Sequence, residues 1–102
     1  MDEIKIIWTE MAIQQRGKIF QYWNNRNKSD QYSKKLNLII YQKIDILKSN
    51  PKVGIETEWE NYRIIHFENY SLVYKIETSL IHIVSCWDNR QNPNKLKKLL
   101  GL

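Results

Sequence analysis

The hydrophobic positions of this 102-residue chain change their spacing along the sequence, and each spacing predicts a different element. Residues 4–8 are rich in β-branched and aromatic side chains and predict a short strand. Thr9 then favours a helix N-cap. Beyond it, positions that share one face of a helix follow one another at mostly three- or four-residue spacing. That face consists of Ala12, Arg16, Ile19, Phe20 and Trp23. It predicts an amphipathic helix that ends in the asparagine-rich segment 24–27.

The helical spacing returns at residues 32–47 and predicts a second helix, for which Ser29 is the expected N-cap. Asn50 and Pro51 end this helix, because the residue before a proline avoids the helical region of backbone conformation. The loop between the two helices is short. The pattern therefore predicts an antiparallel helical hairpin.

Beyond Gly54 the spacing becomes that of strands, joined by tight turns. The predicted strands are residues 62–67, 70–76 and 80–87, with a short edge segment within 55–60. The nearly continuous apolar run at 80–87 is typical of a central strand that is covered on both faces.

Asn94 favours the N-cap of a short final helix at residues 95–100. The resulting order is β-α-α-β-β-β-α. It predicts one α+β domain over residues 1–102, built of two layers, in which an antiparallel sheet carries the N-terminal helical hairpin on one face.

Cysteine usage and the N-terminus indicate the compartment. Cys86 is the one cysteine, so an intramolecular disulfide is impossible, and its apolar strand indicates a buried hydrophobe. The chain begins Met1-Asp2-Glu3, which is acidic at the position where a signal peptide is basic. No apolar run approaches the roughly 20 residues of a membrane span. We therefore expect a cytoplasmic protein without membrane contact.

The charge is unevenly distributed. The net charge is +5, but residues 11–54 have a net charge of +7, residues 55–77 of −3 and residues 78–102 of +3. A field of this kind favours a polyanion or an acidic protein partner, although lysines on a helix face also occur simply because they are solvated.

Arginines are the strongest candidates for binding chemistry. Arg90 lies in segment 88–93, directly after the last predicted strand, and Arg63 begins an earlier strand. A guanidinium donates bidentate hydrogen bonds to anionic oxygens and stays charged at any useful pH. The two arginines are expected to converge on one phosphate or on one acidic peptide segment. The structural alternative for Arg63 is an ion pair across strands with Glu58, Glu60 or Glu77. For Arg90 it is an ion pair with Asp88 or a cap on the final helix.

Lys52 and Lys75 extend this basic set, and the aromatic side chains of Trp59, Tyr62 and Trp87 are candidates for stacking on bases. The two histidines, His66 and His82, share no ligand spacing with Cys86 or with a pair of carboxylates. The chain also lacks a glycine-rich phosphate loop. We therefore expect no metal and no cofactor.

Short segments along nearly the whole chain appear in an order known from one superfamily. They are Trp8-Thr9-Glu10 with Ala12, Ile19 with Tyr22-Trp23, Tyr32-Ser33-Lys34-Lys35-Leu36, Asn50-Pro51 with Gly54, Tyr62-Arg63-Ile64, the strand at 70–76, and segment 88–93. In their joint order and spacing they resemble the RelE/ParE toxins of bacterial type II toxin–antitoxin modules. The resemblance implies the fold predicted above.

The resemblance implies one of two activities. RelE-like toxins enter the ribosome and cleave mRNA, and they hold the scissile phosphate with arginines and lysines. ParE-like toxins have no nuclease activity and inhibit DNA gyrase. Both kinds are silenced by a cognate antitoxin that wraps around the toxin. We expect that antitoxin to be acidic and to be encoded by the adjacent gene.

The resemblance assigns Arg63 and Arg90 to the active site of a RelE-like nuclease, with Lys52 and His66 as further catalytic candidates. Lys75, Tyr62 and Trp87 are the substrate-binding candidates. The chain departs from the nuclease pattern because no tyrosine follows Tyr74 and no histidine follows His82. We expect a toxin that inhibits growth as a ribosome-dependent mRNA endonuclease. The alternatives are a non-enzymatic gyrase inhibitor and a protein that retains only antitoxin binding.

Overall fold

The computed structural model describes residues 3–102, so the expectation that rests on Met1 and Asp2 lies partly outside the described residues. The strands are β1 Lys5–Trp8, β2 Ile55–Glu56, β3 Tyr62–Phe67, β4 Tyr70–Glu77 and β5 Leu80–Asp88. The helices are α1 Glu10–Asn27, α2 Gln31–Ser49 and α3 Pro93–Leu99. The predicted order is confirmed, and the predicted edge segment is the two-residue strand β2.

The helix ends differ from the prediction in three places. Asn24–Asn27 continue α1, which ends at Lys28 in the left-handed region with φ 52°. Asp30 is the N-cap residue of α2, and the Ser29 hydroxyl accepts a hydrogen bond from the Gln31 amide at 3.2 Å. Asn92, and not Asn94, caps α3, because Pro93 occupies the first helical turn, where its missing N–H costs nothing.

Thr9 caps α1 as predicted and also joins the helix to the sheet. Its hydroxyl accepts a hydrogen bond from the Ala12 amide at 3.2 Å and donates one to the Ile83 carbonyl at 3.2 Å. The Thr9 amide donates to the same Ile83 carbonyl at 3.0 Å. The first turn of α1 is thereby fixed against β5.

The five strands form one mixed sheet in the order β1-β5-β4-β3-β2. The pairs β5–β4, β4–β3 and β3–β2 are antiparallel, as the short turns predicted. Strand β1 pairs with β5 in parallel, in a register that runs from Lys5 opposite Leu80 to Trp8 opposite Ile83. The expectation of a wholly antiparallel sheet is therefore corrected at this one strand.

The main core lies between the helical hairpin and one face of the sheet, which confirms the predicted α+β layering. Its buried residues are Ala12, Leu36, Ile40, Ile44, Leu47, Phe67, Tyr70, Leu72, Tyr74, Ile81, Ile83 and Cys86. Cys86 is 3% exposed, and burial raises the pKa of its thiol to about 12, so the group is an unreactive hydrophobe as predicted.

A second, smaller core lies on the opposite face, where Leu96 of α3 packs against Val73 and Trp87. This helix covers only one end of that face, so β5 is covered on both sides only near its C-terminal end. Within residues 3–102, no helix has the length and apolar character that crossing a bilayer requires.

Candidate functional site

Arg63 holds the loop that follows α2. It lies on the hairpin side of β3, and its guanidinium donates hydrogen bonds to the carbonyl oxygens of Lys52 at 3.1 Å and Gly54 at 2.8 Å. A third bond joins it to the Glu56 carboxylate at 3.0 Å. The side chain is 18% exposed. Most of its hydrogen-bonding capacity is therefore used inside the molecule.

Tyr74 holds the same loop from below. Its hydroxyl donates a hydrogen bond to the Pro51 carbonyl at 2.8 Å and accepts one from the Gly54 amide at 2.9 Å. Burial raises the pKa of this phenol, so it stays protonated and keeps both bonds. A Cβ added at Gly54 would collide with Tyr74 and would approach the Ile64 carbonyl oxygen to 2.9 Å, so the close approach requires glycine.

Lys52 is exposed in this loop and lines a cleft of about 340 Å³ together with Arg63. Glu56 and Glu60 line the same cleft, so its two cations face two carboxylates. A cleft of mixed charge binds an added anion less well than a purely basic one.

Arg90 lies beyond the other end of β5 and is bound to Asp88. Its Nε and Nη2 donate to the two carboxylate oxygens of Asp88 at 3.0 and 2.8 Å, and the backbone amide of Arg90 donates to the same carboxylate at 2.9 Å. The side-chain hydrogen bonds lower the pKa of Asp88 and raise the pKa of Arg90 further. The Asp88 ion pair that the sequence left open is present.

The Arg90 guanidinium is nevertheless accessible, with 57% of the side chain exposed. It stands at the rim of a cleft of about 300 Å³ between α1 and the end of the sheet, which we call the Arg90 cleft. Lys18 and Tyr22 of α1 line it, and Tyr70 and Cys86 form part of its floor. It combines an apolar floor with a rim on which two cations, Arg90 and Lys18, outnumber the single carboxylate of Asp88.

The sequence analysis named Tyr22 in the family resemblance but proposed neither Lys18 nor Tyr22 as a site residue, although their spacing of four residues places both on one side of α1. Their position opposite Arg90 depends on how α1 crosses the sheet, and local spacing does not carry that information.

Arg63 and Arg90 do not converge, so the expectation of a shared anion site is wrong. Arg63 pairs with Tyr74 of β4, and Tyr74 pairs with Ile83 of β5. Asp88, which holds Arg90, lies five residues farther along β5, about 17 Å away at about 3.3 Å per residue. Strand β4 also lies between β3 and β5, so the two arginines occupy opposite ends of the sheet on strands that are not neighbours.

His66 lies at the same end of the sheet as Arg90 but on the face opposite the helical hairpin. Ile64, two residues earlier in β3, is on that same face. Its Nδ1 is 2.6 Å from the Ser71 hydroxyl, which donates a hydrogen bond to Asn89 Oδ1 at 2.6 Å. Because a hydroxyl has one proton, the Ser71 hydroxyl that donates to Asn89 accepts from His66 Nδ1, and this contact fixes the orientation of the ring.

The three substrate-binding candidates have different surroundings. Trp87 is 5% exposed beneath α3 and is not accessible for stacking on a base, so that expectation is wrong. Tyr62 is half-buried, and the Lys75 ammonium lies 5.7 Å from its ring centre. Lys75 also pairs with Glu77 at 3.8 Å. Trp59 packs edge-on against Tyr62 at 6.4 Å.

Within residues 3–102, no three His, Cys, Asp or Glu side chains come together as metal ligands.

The comparisons with known proteins agree with the fold. A family model described as ParE toxin of type II toxin–antitoxin system, parDE, matches residues 6–93. A search of curated protein sequences found no significant match.

Two solved structures match this chain over most of its length. A chain from the chromosomal ParDE system of P. aeruginosa has a TM-score of 0.71 and 17% identity, covering 84% of this chain and 96% of that chain. A YoeB dimer from Staphylococcus aureus has a TM-score of 0.47 and 20% identity, covering 83% of this chain and 95% of that chain.

Proposed function

Because the chain belongs to the ParE toxin family of type II toxin–antitoxin systems, we propose that it inhibits growth by binding DNA gyrase, without nuclease chemistry. The observation that supports this proposal best is the separation of Arg63 and Arg90 by the width of β4 and about 17 Å along the sheet. Gyrase inhibition by binding alone requires no converging catalytic groups.

A phosphate-cleaving site requires the opposite arrangement. Negative charge develops on the phosphorane in the transition state, and fixed cations stabilise it only when they point at the same oxygens. Arg63 directs its donors at the loop after α2, while Arg90 shares its donors with Asp88. These contacts favour a structural role for Arg63 and a binding role for Arg90.

The Arg90 cleft is the surface that we assign to the target. Its basic rim of Arg90 and Lys18 suits a carboxylate, and its floor suits an apolar side chain. Protein interfaces are anchored by this combination of an apolar pocket and an arginine, which holds a carboxylate bidentately. Arg90 keeps donors free of Asp88 for that contact, since three of its five donor hydrogens lie outside the two side-chain bonds.

One observation supports the rival function, a ribosome-dependent mRNA endonuclease. The Ser71–Asn89 contact orients the exposed His66 ring through Nδ1, and a positioned imidazole is the side chain that most often serves as a general base. His66 lies across the sheet from the Arg90 cleft, so the two would have to engage different parts of a bound RNA.

A supercoiling assay with purified gyrase and relaxed plasmid tests the proposal. The chain should inhibit supercoiling, and Arg90→Ala should raise the inhibitory concentration at least about tenfold, the effect of losing about 1.4 kcal/mol of binding free energy. Lys28→Ala, which removes an exposed cation away from the cleft, is the matched control and should inhibit as the unmodified chain does.

A parallel assay with programmed ribosomes decides between the two functions. Cleavage of mRNA within the reading frame, lost on His66→Ala and accompanied by normal supercoiling, would contradict gyrase inhibition and support the endonuclease. Inhibited supercoiling with intact mRNA would support the proposal.

A toxin of this family has a cognate antitoxin, and we propose that the antitoxin of this chain is acidic and is encoded by the adjacent gene. The support is the net charge of +5, concentrated on the hairpin and the C-terminal segment. Co-expression of the two genes should restore growth and yield one complex on affinity purification. Growth arrest that the neighbouring product does not relieve would contradict the assignment.

A further inference from the structure

The C-terminal segment, residues 89–102, contains four basic residues and no acidic residue. Arg90 is held by Asp88, which leaves the three lysines of α3, namely Lys95, Lys97 and Lys98. We call them the α3 lysine cluster. All three are exposed, and none of them forms an ion pair with any carboxylate in residues 3–102.

The packing of α3 turns this cluster outward. Leu96, 4% exposed, is the buried contact of the helix with the sheet. The neighbouring positions 95, 97 and 98 project to the sides and away from the sheet, because successive residues of a helix are rotated by about 100°. Only Lys95 makes a side-chain hydrogen bond, at 3.3 Å to Gln91.

The cluster also lies apart from the surfaces already described. Leu96 packs on Val73 and Trp87, which belong to the sheet face opposite the helical hairpin. No residue of α3 lines the Arg90 cleft or the cleft next to Lys52. The charge of α3 is therefore available when a partner occupies the Arg90 cleft.

We propose that the α3 lysine cluster contacts the phosphates of double-stranded DNA. The inference rests on the proposed function, since gyrase works on DNA, and it implies that the toxin binds the enzyme with its DNA in place. Lysine ammonium groups are point charges on flexible stems, and they contact a phosphate backbone without needing fixed geometry.

An acidic protein surface is the other partner of opposite charge, and the surroundings of α3 disfavour it. Protein interfaces of high affinity place an anchoring side chain in a pocket at their centre. The two clefts described above lie away from α3. Leu99 and Leu102 are exposed beside the lysines, at 46% and 43%, but neither lines one of these clefts. Basic charge clustered on one helix is typical of a phosphate contact.

Binding of the purified full-length chain to a fluorescently labelled mixed-sequence DNA duplex, measured by anisotropy over a series of salt concentrations, tests the proposal without gyrase. The test variant is Lys95→Gln/Lys97→Gln/Lys98→Gln. Each phosphate contact contributes about 0.9 to the slope of log affinity against log salt, so three contacts predict a slope smaller by about 2.7. The affinity should fall at least about tenfold at low salt.

The matched control is Lys35→Gln/Lys43→Gln/Lys48→Gln, which removes the same charge from α2. It should change DNA affinity by less than about threefold, since distant charges act only through a screened field. Thermal melting of both variants shows that each is folded.

Equal weakening by both variants would assign DNA binding to bulk charge and overturn the proposal. So would an α3 variant that binds DNA normally but loses affinity for DNA-free gyrase, because α3 then contacts an acidic protein surface. Absence of DNA binding by the unmodified chain overturns it as well. If the chain binds DNA through α3 but leaves supercoiling unaffected, gyrase inhibition fails and the DNA contact stands.

Discussion

Arg63 and Arg90 show that the same residue type serves two purposes at the two ends of one sheet. Arg63 is mostly buried and spends its donors on backbone carbonyl oxygens, so it stabilises a loop. Arg90 is mostly exposed, and a single carboxylate orients it toward solvent. Both guanidinium groups have the same number of donors. Their roles differ because different acceptors lie within hydrogen-bond distance of each.

Arg90→Ala should abolish growth inhibition in cells while changing the free energy of unfolding by only about 0–1 kcal/mol, because exposed ion pairs contribute little to stability. Induced expression with viable counts, followed by thermal melting of the purified variant, measures both effects. A large loss of thermal stability would instead make Arg90 a structural residue.

The same substitution should raise the pKa of Asp88 toward its ordinary value, because the hydrogen bonds from Arg90 are the largest cause of its lowered pKa. In the unmodified chain, the folded-state pKa lies below the unfolded one. The pair therefore stabilises the fold above the unfolded pKa, and that contribution is lost as the pH falls through the folded pKa. A carboxyl ¹³C titration by NMR measures the shift, and an unchanged Asp88 curve would contradict it.

Tyr74→Phe should lower the free energy of unfolding by about 1–3 kcal/mol, since it leaves the Pro51 carbonyl and the Gly54 amide without their partner. Urea denaturation measures the change. Tyr41→Phe is the matched control, because that side chain belongs to a residue that is 54% exposed, and it should change stability by less than about 0.5 kcal/mol. Equal effects of the two substitutions would remove the role assigned to the phenol.

At the scale of elements, the spacing of apolar residues predicted those helices, strands and turns that depend on neighbouring residues alone. The two long helices, the three long strands and the tight turns follow from side-chain periodicity and turn residues. The N-cap of α3 was displaced by two residues, because Pro93 and Asn92 together fix the start of the helix. The parallel pairing of β1 was not predictable in the same way, since it joins Lys5 to Leu80 across most of the chain.

Thr9 joins the first turn of α1 to β5. Thr9→Ala should cost about 1–2 kcal/mol of unfolding free energy, because it removes the α1 cap and the hydroxyl contact with Ile83 together. Thr78→Ala, in the exposed turn between β4 and β5, is the control and should have little effect. Denaturation of both variants measures the contrast, and a Thr9 variant as stable as the control would contradict it.

At the scale of the whole molecule, the candidate site depended on topology more than on composition. The sequence singled out Arg63, Arg90, the basic helical half and the basic C-terminal segment, but strand order decides which of them can act together. Arg63 lies on β3 and Arg90 follows β5, and β4 lies between these two strands in the sheet. Trp87 was misassigned for a similar reason, since only the packing of α3 buries it.

The net charge of +5 sets an expectation for the encounter with an acidic antitoxin. The association rate constant should fall as salt is added, while the dissociation rate constant changes little, because long-range attraction mainly steers the encounter. Stopped-flow mixing over a salt series measures both constants. An association rate independent of salt would show that charge does not guide this complex.

Chemical labelling of Cys86 measures how often the folded structure opens around this residue. Cys86 is the one thiol of the chain, it is 3% exposed, and its pKa is about 12. A thiol reagent therefore reacts in molecules in which α1 has opened away from β5 at the floor of the Arg90 cleft, and one label corresponds to one opened molecule. Any ligand that binds the folded form should slow this labelling in proportion to its occupancy, so that partners are ranked without attaching a probe.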